Sequence, residues 1–372
     1  MSAPRDASLG RFFFACDAML TRLPGLIDVH THMREPGATH KEDWDSGTAS
    51  ALAGGFTMIL AMPNTDPAVT DGETLDLALA AAKRKARCDY GQFVGGGKAN
   101  SGGLNGLALA AGLKLYLDQT YGDLTLDDMS DWIPHFSAWP VTAPLAVHAE
   151  GKTLAAAILL AHLFNRAVHL CHVSTREEIL LIKAAKESRI PVTCEVCPHH
   201  LFLSNEDMAL IGPGRAEVRP QLASPGDREA LWNNMDVIDC FATDHAPHTQ
   251  AEKDGEIPPP GFPGLETILP LLLTSVSDGR LTLDDLTSRL HEAPRRIFNL
   301  PAQEDTFIEV DLKDRHEIRA SEHQSRSRWT PFEGWRVSGR VRRVELRGRT
   351  AFENGKVISY PGFGNNVRTR PQ

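Results

Sequence analysis

The 372-residue sequence is poor in the features that mark secreted, membrane-spanning and nucleic-acid-binding proteins. Its six cysteines are scattered through the chain, several of them in apolar runs, as buried thiols of a reducing compartment are. No apolar run reaches the roughly 20 residues that a membrane helix needs. With 39 basic and 48 acidic residues, the net charge is -9, which gives no reason to expect nucleic acid as a partner. We therefore expect a cytoplasmic protein that binds neither nucleic acid nor membranes.

What the sequence has is a repeated alternation of short apolar segments and helix-like segments. The apolar segments are rich in β-branched residues, and stretches such as 75–86 and 176–188 have helical periodicity. Eight strands that alternate with helices predict an α/β protein, a (β/α)₈ barrel of the TIM type. An open doubly wound sheet is the alternative, but no GxGxxG motif follows the first strand. The predicted strands are 26–30, 56–62, 90–96, 113–117, 145–149, 167–173, 190–196 and 237–244.

The end of the chain differs in character from the predicted barrel. Valine alternates with arginine after residue 335, and the Asn354-Gly355 pair predicts a hairpin turn. We therefore predict a barrel over 25–304 and a small β appendage over 305–372, which residues 1–24 join. The polar stretch 316–328 is predicted to be a solvated linker. The Pro/Gly-rich segment 258–264 is predicted to form a wall of the site.

Polar side chains recur at the carboxyl ends of the predicted strands, which is the face where such barrels carry their active sites. A single histidine in this position is usually structural. Apolar packing does not explain polar groups at the ends of six strands, because burying each polar group without a hydrogen-bond partner costs roughly 2–7 kcal/mol. We therefore predict that they surround a metal. The residues are His30 and His32 (first strand), Lys114 (fourth), His148 (fifth), His172 (sixth), Glu195 (seventh) and Asp244 (eighth).

The types of these residues favour zinc. His30 and His32 lie at i and i+2, so that on an extended strand both side chains point to one face. Imidazole and carboxylate groups are ligands that Zn²⁺ prefers. Lys114 does not fit as an ammonium group, but a deprotonated lysine that reacts with CO₂ becomes an anionic carbamate able to bridge two metals. A structural salt bridge, for example to Asp118, is the alternative interpretation of Lys114.

Several motifs together resemble dihydroorotases of the amidohydrolase superfamily, and above all the CAD-type dihydroorotase domain of multifunctional pyrimidine-biosynthesis proteins. The resemblance runs from about residue 22 to the C-terminus, in order and with compatible spacing. It implies a zinc-dependent cyclic amide hydrolase that interconverts N-carbamoyl-L-aspartate and dihydroorotate. The motifs are GLIDVHTHMREPG (25–37), HKED (40–43), AMPNT (61–65), GLKLY (112–116), CHVS (171–174), EVCPHHL (195–201), TDHAPH (243–248) and PPPGFPG (258–264).

The resemblance also implies that the site holds two or three zinc ions, and it implies the ligands of each. His30, His32, Lys114 and Asp244 match the ligands of one zinc, and carboxylated Lys114, His148 and His172 match those of a second. Glu195, which shares His30, matches a third site. Asp244 matches the proton-transferring group.

Substrate-contacting positions follow from the same resemblance. Arg34, Asn64 and His248 match the groups that hold the free carboxylate of the substrate, with Arg219 and the backbone of Pro260 nearby. Thr120 and Tyr121 match a catalytic loop that closes over the substrate, and Tyr121 stands where the family often has Phe.

Two alternatives to this function remain at the level of the sequence. A dihydropyrimidinase, hydantoinase or allantoinase would use the same metal ligands, although Arg34 and Asn64 favour a substrate with a carboxylate. A non-catalytic dihydroorotase-like scaffold domain of a CAD-like protein would share the fold. The resemblance further implies a homodimer, with carbamoyl phosphate synthetase and aspartate transcarbamoylase domains as neighbours if the chain is part of a longer polypeptide.

Overall fold

A computed structural model describes residues 20–104 and 107–368, which form an eight-stranded parallel sheet and a five-stranded antiparallel sheet. Residues 1–19, which include Cys16 and most of the predicted N-terminal segment, lie outside the described residues. The strands, in chain order, are β1 (Thr21–Pro24), β2 (Leu26–Thr31), β3 (Phe56–Ala61), β4 (Asp89–Gly95), β5 (Ala110–Tyr116), β6 (Leu145–His148), β7 (Val168–Leu170), β8 (Val192–Val196), β9 (Cys240–Phe241), β10 (Phe307–Glu317), β11 (Arg336–Leu346), β12 (Arg349–Glu353) and β13 (Lys356–Val357).

The parallel sheet confirms the predicted barrel. Its strands pair in chain order from β2 to β9, and each predicted apolar segment supplies one of them. The ends of the sheet approach each other where Thr31 bridges to His245 and the His32 amide donates to the His245 carbonyl oxygen at 2.8 Å. The last strand is shorter than predicted and covers only Cys240–Phe241, and the chain turns three residues later at Asp244, which has a left-handed backbone (φ 45°). That turn directs the Asp244 side chain into the mouth of the barrel.

Helices lie between most of the barrel strands and pack against them, but no described residue between β4 and β5 is helical. Their N-termini are capped as the sequence favours: Asp71 accepts from the Thr74 amide, and Thr175 and Glu178 form a capping box. The α-helices are α1 (Trp44–Ala53), α2 (Gly72–Lys85), α3 (Met129–Ala138), α4 (Lys152–Leu163), α5 (Arg176–Glu187), α6 (Pro198–Phe202), α7 (Met208–Ile211), α8 (Pro225–Asn233), α9 (Gln250–Lys253), α10 (Ile268–Ser277), α11 (Leu283–Thr287) and α12 (Ala293–Ile297). A π-helical turn, Ser288–Glu292, joins α11 to α12, and short 3₁₀ turns lie at Asn205–Asp207 and Ala320–Glu322. No helix among the described residues is long and apolar enough to cross a bilayer.

The interior of the barrel is a packed apolar core. Ile27 and Val29 from β2 meet Met58 and Leu60 from β3 in one buried cluster. The ring of Phe298 packs edge-on against the ring of Phe93, with ring centroids 6.0 Å apart. Because this core fills the barrel below its mouth, the polar side chains gather at the carboxyl ends of the strands.

The antiparallel sheet joins the two ends of the described chain. Its order is β1-β10-β11-β12-β13, and β1 pairs with β10 through partners such as Thr21 and Val310. The chain then returns to the barrel, where the Tyr90 amide donates to the Asn365 carbonyl oxygen at 2.9 Å. The N-terminal strand therefore completes the sheet that the C-terminal region forms.

The predicted solvated linker at 316–328 is wrong. Strand β10 extends to Glu317, and the following segment packs on the barrel. Ser325 donates through its hydroxyl to the buried Glu42 at 2.6 Å, and the backbone amides of Gln324 and Ser325 donate to Glu266 at 2.9 and 3.1 Å. The segment is polar because its hydroxyl and amide groups donate hydrogen bonds to buried carboxylates of the barrel. Amino-acid composition does not reveal that these groups have partners within the protein.

Candidate active site

The polar residues predicted at the strand ends converge at the mouth of the barrel. Asp244 Oδ1 lies 3.0 Å from His32 Nε2 and 3.3 Å from His30 Nε2. Each of these three buried residues offers a ligand atom, and the three atoms lie within 4.8 Å of one another. Two imidazole nitrogens and a carboxylate oxygen at this separation can hold one metal ion.

A second group of possible ligands shares His30 with the first. The Nδ1 atom of His30 contacts Glu195 Oε1, and Glu195 Oε2 lies 3.1 Å from His169 Nε2. His30, Cys171 and Glu195 again place ligand atoms within 4.8 Å of one another. His30 thus stands between two carboxylates, Asp244 on one side and Glu195 on the other.

Lys114 lies between these groups and a pair of histidines. It is fully buried, and its Nζ atom is 2.9 Å from the Sγ atom of Cys171. His148 Nδ1 and His172 Nε2 face each other at 2.9 Å. Among the described residues no carboxylate pairs with Lys114, and Asp118 instead accepts from the Glu150 amide at 2.8 Å, so the salt-bridge interpretation of Lys114 is wrong.

Burial and charge set the protonation of these groups. Burial lowers the pKa of His32 to about 4 and holds the pKa of His148 and of His172 below the ordinary value. His30 differs, because Glu195 and Asp244 outweigh burial and Lys114 and raise the pKa of His30 to about 10. Burial alone would raise the pKa of Glu195 and Asp244, but His30 and neighbouring histidines hold both well below the usual range. Two ionised carboxylates carry more negative charge than one protonated imidazole neutralises, so a bound cation that replaces the His30 proton would compensate both carboxylates.

Three residues of the mouth have left-handed backbone conformations that non-glycine residues rarely adopt. They are Arg34 (φ 56°), His172 (φ 36°) and Asp244 (φ 45°). Each such conformation costs of order 1–3 kcal/mol and persists only where the surrounding structure enforces it. The strain lies where three different loops turn a polar side chain into one cavity.

Most of the residues predicted to bind substrate or metal line this cavity, whereas Lys114 and Glu195 do not. Asn64 Nδ2 donates to the Tyr121 carbonyl oxygen at 2.9 Å, which ties the loop of Thr120 and Tyr121 to the mouth. His248 does not line the cavity directly, but its Nε2 atom lies 3.1 Å from the NH2 nitrogen of Arg34 and 3.0 Å from the Pro260 carbonyl oxygen. The lining residues are His30, His32, Arg34, Asn64, Tyr116, Thr120, Tyr121, His148, His172, Arg219, Asp244, Ala246, Pro260 and Gly261.

Sequence reasoning missed several residues of the site. Cys171 is one of the cysteines that the sequence predicts only as buried thiols, yet its sulfur contacts Lys114. Its place directly before His172 at a strand end was the available signal. His169 and Tyr116 lie within strands that carry predicted ligands, and the buried hydroxyl of Tyr116 has no hydrogen-bond partner among the described residues. Lys41 contacts His248 and Tyr121, and only the HKED motif marked its region.

Comparison with known proteins places the chain in a family. A family model described as Dihydro-orotase-like matches residues 20–95. The dihydroorotase of Pyrococcus furiosus is 35% identical over 354 residues, which cover 91% of this chain and 83% of that protein. The chain belongs to the dihydroorotase family. Multifunctional protein CAD of Squalus acanthias is 56% identical over 353 residues, or 95% of this chain, but the match spans only 16% of that protein's length.

Membership of the dihydroorotase family does not by itself establish activity, as one solved structure illustrates. The inactive dihydroorotase-like domain of the Chaetomium thermophilum CAD-like multifunctional protein is 30% identical, with a TM-score of 0.81. The match covers 94% of this chain and 99% of that domain. Catalytic competence therefore rests on the residues at the mouth of the barrel.

Proposed function

We propose that the chain is a metal-dependent dihydroorotase that interconverts N-carbamoyl-L-aspartate and dihydroorotate. The observation that carries this proposal is the buried cluster of His30, His32 and Asp244 in the same cavity as Arg34. The cluster suits a metal that activates an amide carbonyl, and the guanidinium suits the carboxylate that dihydroorotate carries beside its ring.

The donor set fits zinc, with two or three ions at the mouth. We infer that His30, His32, Asp244 and a carbamate formed from CO₂ on Lys114 would hold one ion, and that the carbamate, His148 and His172 would hold another. Glu195, His30 and Cys171 offer a third place. When bound, zinc supplies Lewis acidity to the carbonyl and lowers the pKa of water. Carbamate formation requires the amine of Lys114, which is fully buried and has no carboxylate partner among the described residues.

The chain's own residues orient the substrate and move its proton. Arg34, Asn64 and Arg219 hold the carboxylate, supported by His248 and the backbone of Pro260. In ring opening, Asp244 takes a proton from the attacking water and delivers it to the ring nitrogen as the amide bond breaks. Thr120 and Tyr121 exclude bulk water from the cavity. Ring closure consumes a proton, so that acid pH favours dihydroorotate and alkaline pH the open chain.

The relatives support a wider proposal about the context of the chain. Multifunctional protein CAD of Squalus acanthias and multifunctional protein pyr1-3 of Dictyostelium discoideum each match the chain over 16% of their length. We therefore propose that the chain works in pyrimidine biosynthesis beside carbamoyl phosphate synthetase and aspartate transcarbamoylase domains. We also propose that it forms homodimers. A cytoplasmic setting agrees with the five described cysteines, which are buried and form no disulfide among the described residues.

One experiment tests the function against its alternatives. Metal content is measured by mass spectrometry on the purified chain, and turnover is assayed with dihydroorotate and with dihydrouracil, which lacks the carboxylate. We expect bound zinc, turnover of dihydroorotate and none of dihydrouracil. Turnover of dihydrouracil would favour a dihydropyrimidinase instead. Bound zinc without turnover of either would favour the scaffold role, for which the inactive Chaetomium thermophilum domain is a precedent.

A further inference from the structure

A buried lysine lies behind the cavity and has all its donors engaged. Lys41 is 6% exposed, and its Nζ atom lies 3.1 Å from Tyr121 Oη, 3.1 Å from His248 Nδ1 and 3.2 Å from Glu252 Oε1. An ammonium group has three N–H donors and no acceptor. Each donor of Lys41 therefore has one partner, and no donor is left to bind a ligand.

This arrangement determines which nitrogen of His248 carries the proton. Because Lys41 can only donate, His248 Nδ1 must accept, and the remaining proton lies on Nε2. The Nε2–H group then donates to the Pro260 carbonyl oxygen at 3.0 Å. The opposite tautomer would set two donors against each other at Nδ1 and leave that carbonyl without its donor. A charged imidazole is also disfavoured, since burial and then Arg34 and Lys41 hold the pKa of His248 far below its ordinary value.

The tautomer has a consequence for Arg34. The Arg34 NH2 nitrogen lies 3.1 Å from His248 Nε2, but both atoms are then donors and no hydrogen bond forms between them. The Arg34 Nε atom donates to the Pro247 carbonyl oxygen at 3.2 Å, and its buried NH1 nitrogen has no partner among the described residues. Both terminal nitrogens of the guanidinium are thus left without an acceptor, and Arg34 lines the cavity. An unpaired two-nitrogen fork matches the two oxygens of a carboxylate.

We propose that Lys41 is a positioning residue that fixes His248 as its Nε2–H tautomer and thereby keeps the Arg34 guanidinium free for a substrate carboxylate. Without Lys41, His248 can adopt the Nδ1–H tautomer. Its Nε2 atom then accepts a hydrogen bond from the NH2 nitrogen of Arg34, and that nitrogen is no longer free for the substrate carboxylate. The choice of carboxylate rests on the proposed function, whereas the tautomer does not. Lys41 also donates to Tyr121, so the same lysine connects the carboxylate site to the loop of Thr120 and Tyr121.

The tautomer is tested directly by ¹⁵N NMR on the full-length metal-bound chain with labelled histidine imidazoles. Comparison with a His248→Gln spectrum assigns the His248 signals. We expect the Nε2–H pattern in the wild type and a gain of the Nδ1–H pattern in Lys41→Met. An Nδ1–H wild type, or a Lys41→Met spectrum with an unchanged tautomer, would overturn the proposal. If Lys41→Met does not fold, the wild-type spectrum decides alone.

Kinetics test the consequence for binding. For Lys41→Met we expect the KM for dihydroorotate to rise about 10- to 100-fold, with kcat within about threefold, because one arm of a charged hydrogen-bonded pair is lost. The KM for the methyl ester of dihydroorotate should change less than about threefold, because the ester lacks the charge. An equal loss with both substrates would indicate a merely structural lysine and overturn the assignment.

A matched control variant is Lys186→Met. Lys186 is a part-buried lysine that donates to the Val237 carbonyl oxygen at 2.6 Å, away from the cavity. This variant should leave both KM values and the His248 tautomer unchanged. A wild type that does not turn over dihydroorotate would contradict the proposed function while the NMR experiment still tests the tautomer, so the two failures are distinguishable.

Discussion

The mouth of the barrel and the appended antiparallel sheet are both rich in charged residues, but these residues differ in their burial and in their partners. In the sheet, Arg342 and Arg343 are about one-third exposed and pair with Asp314 and Glu345. At the mouth, His30 and Asp244 are almost fully buried, and no arginine or lysine neutralises Asp244 directly among the described contacts. The sheet pairs its charges within the protein, whereas the mouth leaves its donors for an added cation and an anionic ligand.

This difference in pairing distinguishes charged residues that stabilise the fold from charged residues that bind a ligand. Exposed ion pairs contribute a median of about 0–1 kcal/mol. Buried ionised groups cost several kcal/mol each unless partners compensate, so a cluster of them persists where binding requires it.

The largest effect is expected for Asp244→Asn. The amide keeps the shape of the side chain but cannot take the proton of the attacking water. We expect kcat for dihydroorotate to fall about 10³-fold. Circular dichroism should show an unchanged fold, and metal analysis should show how much zinc is retained. Activity near the wild-type level would mean that another group moves the proton.

Thr120→Ala should have the next largest effect. Thr120 lines the cavity from the loop between β5 and α3, so its loss should disturb water exclusion and orientation of the substrate. We expect kcat to fall about 10- to 100-fold, with zinc content unchanged. Loss of metal together with activity would instead indicate that Thr120 supports the metal site.

Lys253 offers a test through stability. This fully buried lysine donates to the Glu217 and Pro259 carbonyl oxygens at 2.7 and 2.9 Å, and burial lowers its pKa to about 7. Between pH 7 and the unfolded value of about 10.5, the unfolded chain binds a proton that the folded protein does not, so the contribution of Lys253 to stability rises with pH.

The measurement is the free energy of unfolding of wild type and of Lys253→Met in urea. Between pH 7 and pH 9.5 the wild type should gain about 3 kcal/mol relative to the variant. A constant difference across this range would show that the ammonium group is not destabilised by burial.

The smallest effect is expected for Arg340→Gln in the appended sheet. Arg340 is about one-third exposed and pairs with Asp314 and Glu322 at 3.4 Å each. We expect the free energy of unfolding to change by less than about 1 kcal/mol, with kcat and KM unaffected. A loss of several kcal/mol, or a change in KM, would break the contrast between the two regions.

Much of the barrel could be predicted because its rules are local and repetitive. Short apolar strands alternate with helices, and parallel strands bring their carboxyl ends to one face, so that His30 and Asp244 meet although 214 positions separate them. The segment 316–328 was predicted wrongly for the opposite reason. Its polar residues bond to buried Glu42 and Glu266, and composition does not distinguish a donor bound to protein from one bound to water.

The barrel, the polar positions at its strand ends and an arginine suited to a carboxylate can all be read from residue order alone. The contact of Cys171 with Lys114 appears only in the folded chain, as do the contacts that Lys41 makes with His248 across 207 positions and with Tyr121 across 80. Periodicity encodes which face of a strand is buried, whereas a hydrogen bond needs two particular atoms within about 3 Å. Loops that no periodicity describes bring those atoms together.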